Sequence, residues 1–122
     1  MDRDGLTPWY QPGQPPAGWS AADVRERWPA VKTLFGAHLN LDWRDEYDSF
    51  EDFACQVLDT AGPVERQRLL VQLESFSRAV SDDDTLEGIL TVTGSGLMPE
   101  HDTGLPPLAW LAALTERVRR PR

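Results

Sequence analysis

Apolar residues recur three and four positions apart in several segments of this chain, and prolines separate those segments. This spacing places the apolar side chains on one face of an α-helix, where they can be buried together. The pattern therefore predicts a protein built from amphipathic helices. The clearest stripe is formed by Phe50, Phe53, Ala54, Val57 and Leu58.

Prolines and polar capping residues predict where the helices begin. Proline is tolerated in the first turn of a helix, and a Ser or Asp side chain can cap that turn. Ser20, with Asp23 three residues later, has the pattern of a capping box, and Asp48 or Ser49 can cap the helix that carries the stripe. The further expected starts are Pro29 before 30–40, Pro63 before 64–80, and Pro106 and Pro107 before the last helix. Asp82, Asp83 and Asp84 place negative charge at the amino end of a short helix over 85–90, which suits the helix dipole.

Three stretches interrupt the helical pattern. Residues 40–48 and 98–104 are predicted to be loops, and 91–96 fits either a strand or a loop. Five to six helices with short connections and no convincing strand predict an all-α fold, a compact single-domain bundle.

The first 19 residues differ in composition from the rest of the chain. They contain four prolines and three glycines and have no apolar period. We therefore predict a proline-rich N-terminal tail over 1–19, extended or partly disordered, followed by a helical domain over 20–122.

Charge and cysteine content limit the partners and the compartment of the protein. Twenty acidic and twelve basic residues give a net charge of −8, which opposes direct binding to nucleic acid or to anionic membranes and attracts basic proteins. The single cysteine, Cys55, cannot form an internal disulfide, and neither a signal-peptide pattern nor an apolar run of about 20 residues is evident. We therefore expect a cytoplasmic protein.

The residues that could carry chemistry do not form a catalytic or metal-binding pattern. His38 and Asp42 lack a third metal ligand, so His38 is expected to be a partly buried structural residue. Ser95, between two glycines, lacks the full sequence of a nucleophile elbow. Cys55 is expected in the core, because no basic residue lies close to it in the sequence. We therefore predict no enzymatic activity, no cofactor and no metal.

Acidic residues are concentrated in 42–52, which contains six of them and one arginine. The stretch lacks the alternating ligands and the central glycine of a calcium-binding loop. Two interpretations remain open. The stretch is either a solvated loop with helix-start charges, or a recognition surface whose carboxylates pair with a basic partner while its aromatic residues provide anchors.

Four sequence segments share a pattern with a known family. Residues 28–43 read WPAVKTLFGAHLNLDW, and the similarity continues through SFED at 49–52, LMP at 97–99 and LAWL at 108–111. These segments resemble the immunity proteins of contact-dependent growth inhibition (CDI) systems.

The resemblance implies an all-helical, non-catalytic inhibitor that binds and neutralises a cognate toxin domain delivered by a neighbouring bacterium. Within the motif, Asp42 is expected to accept backbone hydrogen bonds and Trp43 to fill the core. The motif residues expected to hold the fold are Trp28, Pro29, Gly36, Asp42, Trp43, Trp110 and Leu111. The candidates for toxin binding are Asp45, Glu46, Tyr47 and Asp48, with a second patch of Asp82, Asp83 and Asp84.

The acidity of the chain favours a basic toxin, such as a nuclease with a cationic substrate cleft. The alternative is a helical scaffold or regulatory subunit that binds a basic host protein through the same surface.

Overall fold

The computed structural model describes residues 20–121, which form eight α-helices and no strand. Two of the helices continue directly into a π-helical turn, in which the backbone hydrogen bonds span five residues. The predicted tail over 1–19 lies outside the described residues. The helices are α1 (Ala21–Arg27), α2 (Pro29–Thr33) with the π-turn π1 (Leu34–His38), α3 (Trp43–Glu46), α4 (Phe50–Phe53) with the π-turn π2 (Ala54–Leu58), α5 (Pro63–Ala79), α6 (Asp83–Val92), α7 (Pro99–Thr103) and α8 (Pro107–Arg119).

The all-α prediction is confirmed, but the two predicted loops are wrong in part. The stretches 40–48 and 98–104 each contain a short helix, α3 and α7 respectively. Helices of one turn hold too few residues to show an apolar period. For α7 the sequence does carry a signal at each end: Pro99 lies in its first turn, and Gly104, with φ +78°, ends it. Thr91 and Val92 belong to α6, so the strand alternative at 91–96 is wrong.

A series of aromatic contacts joins α2, α4, α5 and α8 in the core. Phe35 in π1 lies between Phe76 of α5 and Trp110 of α8, with ring centroids 5.7 and 5.9 Å away. Trp28 packs edge-on against Phe76 at 5.2 Å, and Phe50 packs edge-on against Trp110 at 6.0 Å. Such pairs contribute about 0.5–1.5 kcal/mol each beyond the burial of their area. The four helices therefore form one core.

The start of α2 is fixed by contacts with α5. Pro29 occupies the first turn of α2, and the N–H of Ala30 donates to Gln72 Oε1 at 2.7 Å. The indole Nε1 of Trp28 donates to Ser75 Oγ at 3.1 Å. Side chains of α5 thus satisfy donors at a helix start that has no side-chain cap of its own.

The end of π1 lies directly against the loop that follows α6. A Cβ atom on Gly36 would lie 2.3 Å from the carbonyl oxygen of Thr93, so this approach requires glycine. The carbonyl oxygen of Leu39 accepts two hydrogen bonds of 2.8 Å, one from the buried hydroxyl of Ser95 and one from the N–H of Gly96. The loop after α6 therefore caps the end of π1.

Candidate functional site

Three of the candidate acids lie on α3 or just after it. Asp45 and Glu46 belong to α3, Asp48 follows the helix, and all three are exposed. Within residues 20–121 their carboxylates make no hydrogen bond or ion pair, so their charge is available to a partner. Tyr47 is half-buried and packs edge-on against Phe53, with ring centroids 5.2 Å apart.

The turn before α3 is built by Asn40 and not by Asp42. The Asn40 side chain accepts a hydrogen bond from the N–H of Asp42 at 2.8 Å and donates one to the carbonyl of Ala37 at 3.0 Å. Asp42 is exposed, and its side chain does not cap α3. The expectation that the Asp42 carboxylate accepts backbone hydrogen bonds is therefore wrong. Asparagine forms this kind of turn readily because its amide both donates and accepts.

The one arginine of the acidic stretch is engaged by an acid from α7. Arg44 donates from Nε and Nη2 to the two carboxylate oxygens of Asp102, at 3.0 and 2.6 Å. Asp102, whose side chain is only 7% exposed, also accepts from the N–H of Met98 at 2.7 Å. The guanidinium carbon of Arg44 lies 5.1 Å from the ring centroid of Trp43. This bidentate ion pair connects α3 to α7. It also pairs the positive charge of Arg44 with Asp102, so that this charge does not offset the acids of α3.

The second candidate patch lies at the start of α6, where two of its three aspartates act as helix caps. Asp82 accepts from the N–H and the hydroxyl of Thr85, at 2.7 and 3.0 Å. Asp83 accepts from the N–H of Leu108 at 2.9 Å and thereby caps α8. Asp84 is exposed and makes no hydrogen bond or ion pair with the described chain. Within residues 20–121, no hydrogen bond or ion pair connects this patch to the acids of α3.

The structure also places exposed apolar residues beside α3 and α7. Leu41 is 74% exposed and Met98 is 54% exposed, and both line a groove of about 870 Å³ between the end of α6 and α7. Neither was a candidate from the sequence. The sequence does indicate them in one respect: each is a large apolar residue inside a predicted loop.

Most of the motif residues are located where they support the fold. Pro29 starts α2 and Gly36 permits the close contact with Thr93. The side chains buried in the core are those of Trp28, Trp43, Trp110 and Leu111.

Two expectations about reactive residues are wrong. His38 and Cys55 are both exposed. His38 lies in π1, whose wider spacing departs from the α-helical period, whereas Cys55 lies off the apolar stripe, whose residues Phe53, Ala54 and Leu58 are the buried ones. Cys55 has a basic neighbour after all: Arg117 Nη2 lies 3.4 Å from its Sγ, from a position 62 residues later in the chain. Hydrogen bonds to Asp59 and then Glu51 raise the pKa of Arg117 above its ordinary value, so it stays charged.

The described part of the chain contains neither a metal-binding cluster nor a membrane-spanning helix. No three His, Cys, Asp or Glu side chains in residues 20–121 are grouped so as to hold a metal ion. None of the described helices has the length and apolar character needed to cross a bilayer.

Comparison with known families identifies the class of protein. A family model described as CdiI immunity protein matches residues 27–118, from the end of α1 to the last turn of α8. The chain therefore belongs to the CdiI immunity protein family, as the resemblance in its sequence predicted. Membership implies a protein that binds and neutralises a cognate toxin. Comparisons with curated proteins and with solved structures gave no match.

Proposed function

We propose that this immunity protein neutralises its toxin without catalysis, by binding the toxin domain in the cytoplasm and covering its active site or substrate-binding surface. The observation that carries the proposal is the set of exposed carboxylates on α3, which no residue of the described chain neutralises. Charge of one sign on an exposed element speeds association with a partner of the opposite sign and selects against other partners. The toxin domain is accordingly basic.

The contacts that we assign to the toxin interface follow from exposure and chemistry. Asp45, Glu46 and Asp48 pair with Lys or Arg side chains of the toxin, and the exposed part of Tyr47 provides an aromatic anchor beside them. Because Tyr47 is already packed against Phe53, little side-chain freedom is lost when it is covered.

The aspartates at the start of α6 form a second and weaker contact region. Asp82 and Asp83 already accept hydrogen bonds within the protein, which leaves Asp84 as the aspartate with a fully available carboxylate. This region adds long-range attraction more than direct pairing.

Charge also points to the activity of the toxin. A nuclease must hold a polyanionic substrate and therefore has a cationic cleft, which a protein with a net charge of −8 can occupy in place of nucleic acid. Incubation of the purified toxin domain with DNA and with RNA tests this step. A toxin that cleaves neither would contradict the nuclease assignment and leave the immunity function standing.

Co-expression tests the proposed function itself. The toxin domain encoded beside this chain should arrest growth alone, and co-expression of the chain should restore growth and yield a complex that copurifies. An immunity protein paired with an unrelated toxin serves as the control and should not restore growth. Absence of rescue would contradict immunity, and rescue without a recoverable complex would contradict neutralisation by binding.

A further inference from the structure

The groove between the end of α6 and α7 has an apolar floor and an acidic rim. Its exposed apolar side chains are Leu41 and Met98, and its rim carries the exposed carboxylates of Glu87 and Glu100. Within residues 20–121 these two carboxylates make no hydrogen bond or ion pair, and no Lys or Arg lines the groove. The exposed leucine and methionine give one groove an apolar surface that a partner can cover, and the available carboxylates beside them can pair with basic groups of that partner.

Other grooves on the described surface differ in charge. Three further grooves each contain at least two arginines, which offset the charge of the glutamates that line the same grooves. Those arginines are Arg66 and Arg68 in the first groove, Arg117 and Arg120 in the second, and Arg78 and Arg119 in the third. The groove lined by Leu41 and Met98 therefore has the charge that best complements a basic protein.

The groove and the acids of α3 lie at the same end of the molecule. Leu41 is two residues before the start of α3, and the ion pair between Arg44 and Asp102 holds α3 against α7, which forms one wall of the groove. The aspartates at the start of α6 lie near the rim as well, because only four residues of helix, about 6 Å, separate Asp83 from Glu87. One partner surface can therefore cover the groove and α3 together.

We propose that this groove is the central contact for the toxin domain, and that it receives a basic segment whose Lys or Arg stems cover Leu41 and Met98 while their charged ends reach Glu87 and Glu100. Lys and Arg suit this site because their apolar stems pack on apolar surface and their ends stay charged. Met98 can adapt its shape to the incoming side chains. The assignment rests on the proposed function, since it names the part of the surface through which the toxin is bound.

Two matched double variants test the groove. Leu41→Lys/Met98→Lys places two positive charges in it, and Val64→Lys/Val71→Lys makes the same change in net charge on α5. The control residues match in exposure, since Val64 is 71% and Val71 53% exposed. All four positions are on the surface, and thermal unfolding of each variant checks that the fold is retained.

The measured quantity is the Kd for the purified toxin domain encoded beside this chain. We expect the groove variant to bind at least about 30-fold more weakly than the unmodified chain, as loss of a central contact does. The control variant should stay within about threefold of it. Equal weakening in both variants, or in neither, would overturn the groove assignment while the proposed function stands. An unmodified chain that does not bind the toxin at all would overturn both.

Discussion

Arg117, near the end of α8, donates hydrogen bonds of 2.8 Å to both carboxylate oxygens of Asp59, the residue that follows π2. The same guanidinium donates two bonds of 3.0 Å to Glu51 in α4. The Arg117 and Asp59 side chains are only 10% and 9% exposed, whereas Glu51 is 55% exposed, so the network is partly buried. It joins the last helix to the α4–π2 segment.

We predict that Arg117→Met destabilises the protein by about 2 kcal/mol, because the buried Asp59 carboxylate loses the guanidinium that it pairs with. Arg120→Met is the matched control: it removes the same charge from the same end of the chain, at a side chain that is 79% exposed. The control should change stability by less than about 0.5 kcal/mol. Urea unfolding of both variants measures the difference, and equal midpoints would contradict a stabilising role for the Arg117 network.

Local signals explain which parts of the fold could be predicted from the sequence. The capping box at Ser20 and the prolines at Pro29 and Pro63 act within one helical turn, so each helix start could be inferred from a few adjacent residues. The π-turns have no comparable signal in the sequence, and His38, which lies in one of them, is on the surface.

Contacts between distant residues account for what could not be predicted. Arg117 meets Cys55 across 62 residues, and Arg44 meets Asp102 across 58. The apolar periodicity within one segment does not predict contacts between residues this far apart in the sequence. The groove was missed for the same reason, since Leu41 and Met98 come together only when the loop after α6 folds against the end of π1.

Gly36→Ala is expected to destabilise the protein by about 2 kcal/mol, because the added methyl group would overlap the backbone oxygen of Thr93, which lies 2.3 Å from its position. Gly62→Ala is a useful comparison. There the nearest atom is the flexible end of the Glu65 side chain, at 2.6 Å, which can move away. Thermal unfolding should show a clearly larger loss for Gly36→Ala, and similar losses at the two sites would contradict the close contact.

Ser95→Ala should cost about 1 kcal/mol of stability, which thermal unfolding measures. The variant loses the bond to the Leu39 carbonyl and the bond from the N–H of Leu97, at 2.8 and 3.2 Å. If Ser95 is a structural residue, the substitution lowers the free energy of unfolding. Full stability combined with loss of toxin neutralisation would instead assign Ser95 a direct role.

Asp45→Asn/Glu46→Gln should lower the association rate constant with the toxin domain by about fivefold at low salt, because steering depends on exposed charge near the contact surface. Glu26→Gln/Glu65→Gln changes the net charge equally, at exposed acids elsewhere on the protein, and should have a smaller effect. Stopped-flow mixing over a range of ionic strength measures both rates. The rate for the unmodified chain should fall as salt rises, and a rate that ignored salt would contradict electrostatic steering.

The most direct test of neutralisation by binding is a titration of toxin activity with the purified chain. Inhibition by occlusion predicts that activity falls in proportion to the chain added and reaches zero at a fixed stoichiometry, with intact toxin recovered on dissociation of the complex. Full toxin activity at excess chain would contradict immunity, and loss of all activity at a small fraction of an equivalent would indicate catalytic inactivation and contradict inhibition by binding.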